Sequence, residues 1–232
     1  MKRALLAALA VLALAPTLAR ADSPRWGSFE FGMGPYRPDL DAALAPSSND
    51  PAYQLVFGST RRYAFRTGVS YALLQRAGTL EVGLRSGWFR ASAKGIVATT
   101  GARSGDPTTF NVVPTSLTLT WRADFIPEHL PIPLAPYVRV AAERYNWWIT
   151  NGAGNMAKKG ATNGWSATAG LAFSLNVIDP TLAREMDTDS GVNTTYLYFD
   201  VTKAKIDDLG SKTSWDLSPA SLMWSAGVLL SF

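Results

Sequence analysis

The chain offers few side chains able to do covalent or metal chemistry, and their spacing does not favour it. Its one histidine, His129, lies in Pro127-Glu-His-Leu-Pro131, a proline-rich turn in which exposure to water is the plain reading. The absence of cysteine removes thiol nucleophiles, zinc-thiolate sites and N-terminal lipidation, and a lone histidine removes His-cluster metal sites. Asp187-Thr-Asp189-Ser-Gly191 resembles a calcium loop only in part. Tyr198 stands where the bidentate glutamate belongs, and the glycine comes one place early. No phosphate-binding glycine loop or dinucleotide fingerprint follows a strand. The sequence therefore predicts no catalytic residue, no metal ligand and no cofactor, and a role other than an enzyme's.

The remaining candidates are charges that recur on one face of alternating segments. Glu30, Arg66, Glu81, Arg85, Arg122, Asp124, Arg139, Glu143 and Asp200 share a face, whereas Arg90, Arg144 and Lys203 fall on the other, toward segment ends where long side chains can snorkel to water. If the first face lines a lumen, these groups form either a gate or ion path, or a packed ionic core. A narrow bore favours the core. Unpaired charges there would be costly, so the sequence predicts ion pairs across neighbouring strands.

Positioning such a set requires strands. The period along the chain is two, and candidate strands run Trp26 to Gly34, Tyr63 to Gln75, Thr79 to Ala91, Phe110 to Asp124, Ala135 to Ile149, Trp165 to Val177, Thr194 to Lys203 and Ala220 to Phe232. Strands in soluble proteins cluster near about 5 or 6 residues, whereas a tilted strand crossing a membrane needs about 9 to 11. Pro114 and Pro136 cannot donate to a ladder, so the strands that hold them are expected to begin later than drawn.

The first, third, fifth and seventh connections are polar. Among them, Tyr36 to Arg62 and the Gly/Asn-rich Asn151 to Asn163 are expected to be outer contact surfaces. The others are the tight turn Arg76 to Gly78, the proline-rich Phe125 to Leu134, and Ile178 to Asn193, where Asp179-Pro180 predicts an N-capped helical turn. That turn is expected to pack as a local lid on the barrel base rather than to dock a partner.

Composition agrees with lipid contact. Charged residues make up 17% of the chain, against about 25% in soluble domains. The sixth and eighth segments carry no charge, and small residues such as Ser166, Thr168, Gly170, Ala172 and Ser174 fit a narrow lumen. Met1 to Ala21 reads as a signal peptide: a basic start, an apolar run from Ala4 to Leu14, then Ala19-Arg-Ala21 as the cleavage site. The expected domains are thus a leader, 1–21, and a barrel, 22–232. Three of the 22 basic residues, Lys2, Arg3 and Arg20, fall in the leader and leave the rest nearly neutral against 18 acidic residues. No nucleic-acid partner follows. Trp26, Trp88, Trp121, Trp148, Trp165 and Trp215 fall near strand ends as an aromatic girdle, while Trp224 sits mid-strand and fits less well.

The fold class read from these features is all-β: an eight-stranded antiparallel transmembrane β-barrel with a short helical periplasmic turn. The closing Ser221-Leu-Met-Trp-Ser-Ala-Gly-Val-Leu-Leu-Ser-Phe232 looks like the β-signal of small bacterial outer-membrane barrels of the OmpA transmembrane-domain, OmpX and OmpW kind. Trp26-Gly-Ser-Phe-Glu-Phe-Gly-Met-Gly-Pro-Tyr-Arg-Pro-Asp39 resembles the opening of a myxobacterial-type family of outer-membrane barrels. The resemblance implies the Gram-negative outer membrane, contact with its lipids and lipopolysaccharide, and barrel-assembly machinery reading Trp224, Val228, Leu230 and Phe232 during biogenesis. An envelope-protein partner is the other reading of the Ile178 to Asn193 turn, as a docking helix. Lipid-modifying barrels of this size need a histidine beside a serine and a carboxylate or amide, which His129 does not supply. The leading expectation is a structural or interaction role in the cell envelope. The alternatives are a narrow pore or carrier for a small solute and a soluble exported ligand-binding barrel.

Overall fold

The computed structural model describes residues 25–41, 52–96, 102–211 and 213–232. The expected leader lies outside them. The strands are β1 (Gly27–Tyr36), β2 (Arg62–Leu74), β3 (Thr79–Ile96), β4 (Arg103–Arg122), β5 (Leu134–Thr150), β6 (Met156–Ser174), β7 (Thr194–Lys205) and β8 (Met223–Ser231). Each pairs antiparallel with its sequence neighbours, and β1 pairs β8, so the sheet closes into an eight-stranded barrel. Closure leaves no edge within the membrane-height ladder, which matters because lipid offers no hydrogen bonds to a free strand.

The polarity of the wall is inverted. Phe29, Phe31, Val69, Tyr71, Leu84, Leu117, Val138, Leu171, Phe199 and Val228 all point outward and exposed, while Glu30, Glu81, Arg85, Arg122, Arg139, Glu143 and Asp200 point inward and are buried. A soluble barrel places these sets the other way round. The belt marks this as a membrane-spanning barrel. Both described ends meet at its base, where the Trp26 N–H donates to the Phe232 carbonyl at 2.7 Å.

The strands differ in length. β3, β4, β5 and β6 have 18, 20, 17 and 19 residues, whereas β1, β2, β7 and β8 have 10, 13, 12 and 9. About ten residues suffice to cross the bilayer, so the four long strands run on beyond the wall by roughly 23–33 Å measured along the strand, at about 3.3 Å per residue. The expected Asn151–Asn163 loop is thereby corrected: past a turn at 151–155, β6 continues through it and pairs with β5. Its Lys-Lys-Gly-Ala-Thr-Asn run has no apolar alternation because neither face there meets lipid.

The prolines do not end their strands either. Pro136 pairs opposite Leu171, and Pro114 pairs with Tyr145 on one side while the β3–β4 ladder skips Gly87 and Trp88 on the other. The missing donor opens only one ladder locally, and the longer β4 runs on past it.

Three short helices with described bounds accompany the strands: α1 (Ala52–Phe57), α2 (Phe125–His129) and α3 (Pro180–Ser190). α2 forms in the connection expected to be only a proline-rich turn, and His129 is exposed on it, with Nδ1 3.1 Å from the Phe125 carbonyl. α3 follows a 3-10 turn (Leu175–Val177), and its N-cap Asp179 accepts from the Thr181 and Leu182 amides at 3.0 Å. The expected lid packs only in part: Ala183 and Met186 are half-buried, no α3 residue is fully buried, and Ile178 and Leu182 stay exposed.

Closure depends on backbone contact at Gly227. A Cβ there would run into the Phe31 carbonyl and the Gly32 Cα of β1, so Gly227→Val should prevent the last pairing. Gly105 lies in open space, and Gly105→Val should fold like the parent. Gel mobility of unheated against boiled samples checks this: the compact band is lost only in the Gly227 variant.

Candidate functional site

The lumen is the only interior the fold provides among the described residues, and its charges occupy successive levels. Nearest the base, Arg122 donates to Asp124 at 2.7 Å and to Glu81 at 3.2 Å, with its guanidinium 5.4 Å from the Tyr196 ring centroid. Ser28 donates to Glu81 at 3.0 Å, and Tyr196 to Asp124 at 3.0 Å. At the middle level Glu30 lies between Arg85 and Arg139, the second at 2.6 Å. Arg139 also donates to Thr120 at 2.9 Å. Asp200 accepts from Tyr137 at 2.8 Å and from Ser225. Above these, Glu143 is held by Ser116 and by Ser166 at 2.7 Å, and Arg66 donates to Tyr145 at 2.8 Å.

All nine charges are thus brought to the lumen, but not in the expected pairs. Only Arg122–Glu81 joins neighbouring strands; Glu30 of β1 reaches past β2 to Arg85 of β3 and across the bore to Arg139 of β5. Among the described residues, Arg66, Glu143 and Asp200 have hydroxyl partners in place of opposite charges within 4 Å. The reason is geometric: long arginines in a bore this narrow reach the far wall, and five carboxylates facing four guanidiniums leave some to be held by Ser and Tyr hydroxyls.

The loop-side mouth is closed by apolar packing. Tyr36, Phe89, Phe110, Tyr145 and Trp147 on the strands are covered by Leu40 and Tyr53 from the first loop and by Ile206 and Leu217 from the last. The Trp147 and Trp215 rings stack at 4.1 Å and 4°, and Lys158 sits 4.7 Å above Trp215. Tyr36 donates to the Leu217 carbonyl at 2.6 Å, and Asp39 and Ala220 zip the two loop stems together around a Pro38–Pro219 bridge. Among the described residues of the first loop, expected as an outer contact surface, Leu40 and Tyr53 turn inward to the cap while Leu55 stays exposed. Burial of Tyr53 in this cap pushes its phenol up to about 12.

The chain is similar in structure to small outer-membrane barrels. Neisserial surface protein A matches with a TM-score of 0.49 and 12% identity over 90% of this chain and 98% of that one. OprG from Pseudomonas aeruginosa matches at 0.47 and 13% over 90% and 96%, and Ail from Yersinia pestis at 0.40 and 10% over 90% and 97%. The likeness is one of fold. No protein-family model and no curated protein matches the sequence.

The aromatic residues divide. Trp26, Trp88, Trp121 and Trp165 are exposed on the wall, and Trp148 lies against Trp88 edge to face at 5.5 Å. Trp215 departs from the expected girdle, since its ring turns into the cap. Trp147, which sequence reasoning passed over, is its partner; its place on the inward face, one residue from Trp148, was the available signal. Trp224 points outward and stacks on Phe199 at 6.1 Å, and Val228 and Leu230 share that face of β8. Phe232 follows β8 and packs on Trp26 at 5.6 Å.

Two consequences are measurable. Glu30→Gln leaves Arg85 and Arg139 buried with no carboxylate between them, and should cost about 3–5 kcal/mol, read from urea unfolding of the folded barrel. Arg90→Gln on the outer wall should stay within about 0.5 kcal/mol. In the last loop, hydrogen bonds from Ser214 and from the Asn163 amide hold the Asp208 carboxyl below the usual aspartate range. A lowered value stabilises the folded form fully above the ordinary pKa of about 3.9 and loses that contribution as pH falls through the lowered one. Exchange protection of the Asn163 amide, followed by NMR, should hold from neutrality to about pH 4 and decline below it. Asp208→Asn should remove that acid step.

Proposed function

We propose that this protein is a non-conducting, non-enzymatic barrel of the Gram-negative outer membrane, exported by a cleaved leader and inserted by barrel-assembly machinery. Its role is structural or interactive: it holds a rigid β3–β6 surface above the membrane on the loop side. The observation that carries this reading is the filled and capped lumen. Among the described residues, ion pairs across the bore, hydroxyl-held carboxylates and the Trp147–Trp215 stack occupy the lumen at successive levels from base to mouth. A conducting or carrying barrel needs an open bore.

The exposed surface agrees with this role. The rising strands bury their inner face around Phe89, Phe110, Tyr145 and Trp147 under the first and last loops, so the outer face of the sheet and the exposed tip at 151–155 remain for contact. A sheet packed on one side is stiffer than free loops of equal length, because few backbone torsions remain soft.

The test combines fractionation with electrical recording. The full chain should sediment with the outer membrane and change gel mobility on boiling. Purified protein in planar bilayers should give no discrete conductance steps. Recovery in the soluble periplasmic fraction would overturn the membrane assignment, and reproducible single-channel steps would restore the pore.

A further inference from the structure

Acidic residues are missing from the lipid-facing wall. Below the hairpin tips no strand carboxylate points outward, whereas Arg90, Arg144, Lys203 and Lys205 do, all toward the loop-side ends. Three of these four flank one place. Across β5, β6 and β7 the register sets Ala142 beside Trp165 and Trp165 beside Lys205; one step lower, Val140 is beside Ala167 and Ala167 beside Lys203. Arg144 stands two residues along β5 from Ala142, opposite Asn163.

Between them the wall is hollowed. An open groove of ≈ 480 Å³ runs over Leu117, Leu119, Val140, Ala142, Trp165 and Ala167. The alanines set its floor low between larger neighbours. Its upper end lies about ten residues from the base, which is the height where a tilted strand leaves the hydrocarbon. A methylene chain fits below that height and a charged headgroup at it.

The charges at the rim are not all compensated. Lys205 is 3.1 Å from Asp207, and Arg144 donates to the Asn163 side chain at 3.1 Å. The Asn163 amide group in turn donates to Asp208 at 2.8 Å. Asp207 therefore faces Lys205, and Asp208 faces Asn163 and lies within electrostatic reach of Arg144, while Lys203 has no hydrogen-bond or ion-pair partner among the described residues. Arg144 also keeps donors to spare.

We propose that this groove is a binding site for a phosphate-bearing anionic lipid of the loop-side leaflet. One acyl chain lies over Ala142 and Ala167, the headgroup phosphate meets Arg144 and Lys203, and Trp165 sits at the boundary between them. The occupant is a lipid rather than a protein because the groove continues the lipid-facing wall and lies below the height of the rising strands. This inference rests on the membrane reading above.

The test uses the full barrel in nanodiscs of phosphatidylcholine with a minor share of phosphatidylglycerol, followed by mild extraction and native mass spectrometry. Wild type should retain phosphatidylglycerol over phosphatidylcholine. Arg144→Gln and Lys203→Gln should each lower that preference about fivefold, while Arg90→Gln, remote from the groove, leaves it unchanged. Ala167→Trp, which fills the floor but keeps both cations, should also lose the retained lipid. Inorganic phosphate should not displace it; displacement would mean a headgroup contact alone and would overturn the groove. Equal retention of the two lipids, or Gln variants that bind like the parent, would overturn the site while leaving the membrane assignment standing. Failure of the heat-modifiable barrel to enter nanodiscs at all would remove both. Boiled and unboiled gel mobility of every variant checks that loss of lipid is not loss of fold.

Discussion

Lipid cannot hydrogen-bond, and the rest of the molecule answers that one fact. A sheet in hydrocarbon must satisfy its own backbone by closing, so β1 finds β8 although most of the chain separates them. Its outward side chains must be mostly apolar, so the charged groups of the strands are moved to the interior or to the strand ends. Eight strands enclose too little space for water to solvate that interior. The interior therefore has to solvate itself.

It does so with two kinds of partner. Arginines reach across the bore, so that Glu30 on β1 serves both Arg85 on β3 and Arg139 on β5. Carboxylates left over are held by Ser116, Ser166, Ser225 and Tyr137, whose hydroxyls supply directed hydrogen bonds without a second charge. Toward the mouth the solution changes from polar to apolar, because strands above the bilayer have water outside and can bury rings within. Tyr36 and Tyr145 sit at this change, each with its ring against the cap and its hydroxyl bonded: Tyr36 to the Leu217 carbonyl, Tyr145 to Arg66.

The strand number, the lumen face and the capped turn at Asp179 were legible in the sequence because lipid on one side and packing on the other impose a strict period of two, and because an N-cap is local. The upper halves of β4 and β6 were not. Around Thr108 and Lys159 both faces are polar, the contrast vanishes, and pairing is decided by hairpin partners instead. The lumen charges could be assigned to a face by counting, but not to partners, since the pairing of Glu30 with Arg139 depends on how far a side chain reaches across a closed ring. Trp215 was misplaced for a similar reason. Its position near a strand end suited the interface, while its actual partner, Trp147, is brought near only by the fold of the last loop.

The pairs that cross the bore also bear on how the barrel comes to exist. Glu30 belongs to the first hairpin and Arg139 to the third, so no early hairpin is electrically complete by itself. An arginine such as Arg139 left toward the bilayer midplane costs about 2–4 kcal/mol, and a partly inserted sheet would carry several such debts at once. Entry into the membrane is therefore close to all-or-none: the strands become tolerable to lipid together, when the ring shuts and distant charges meet.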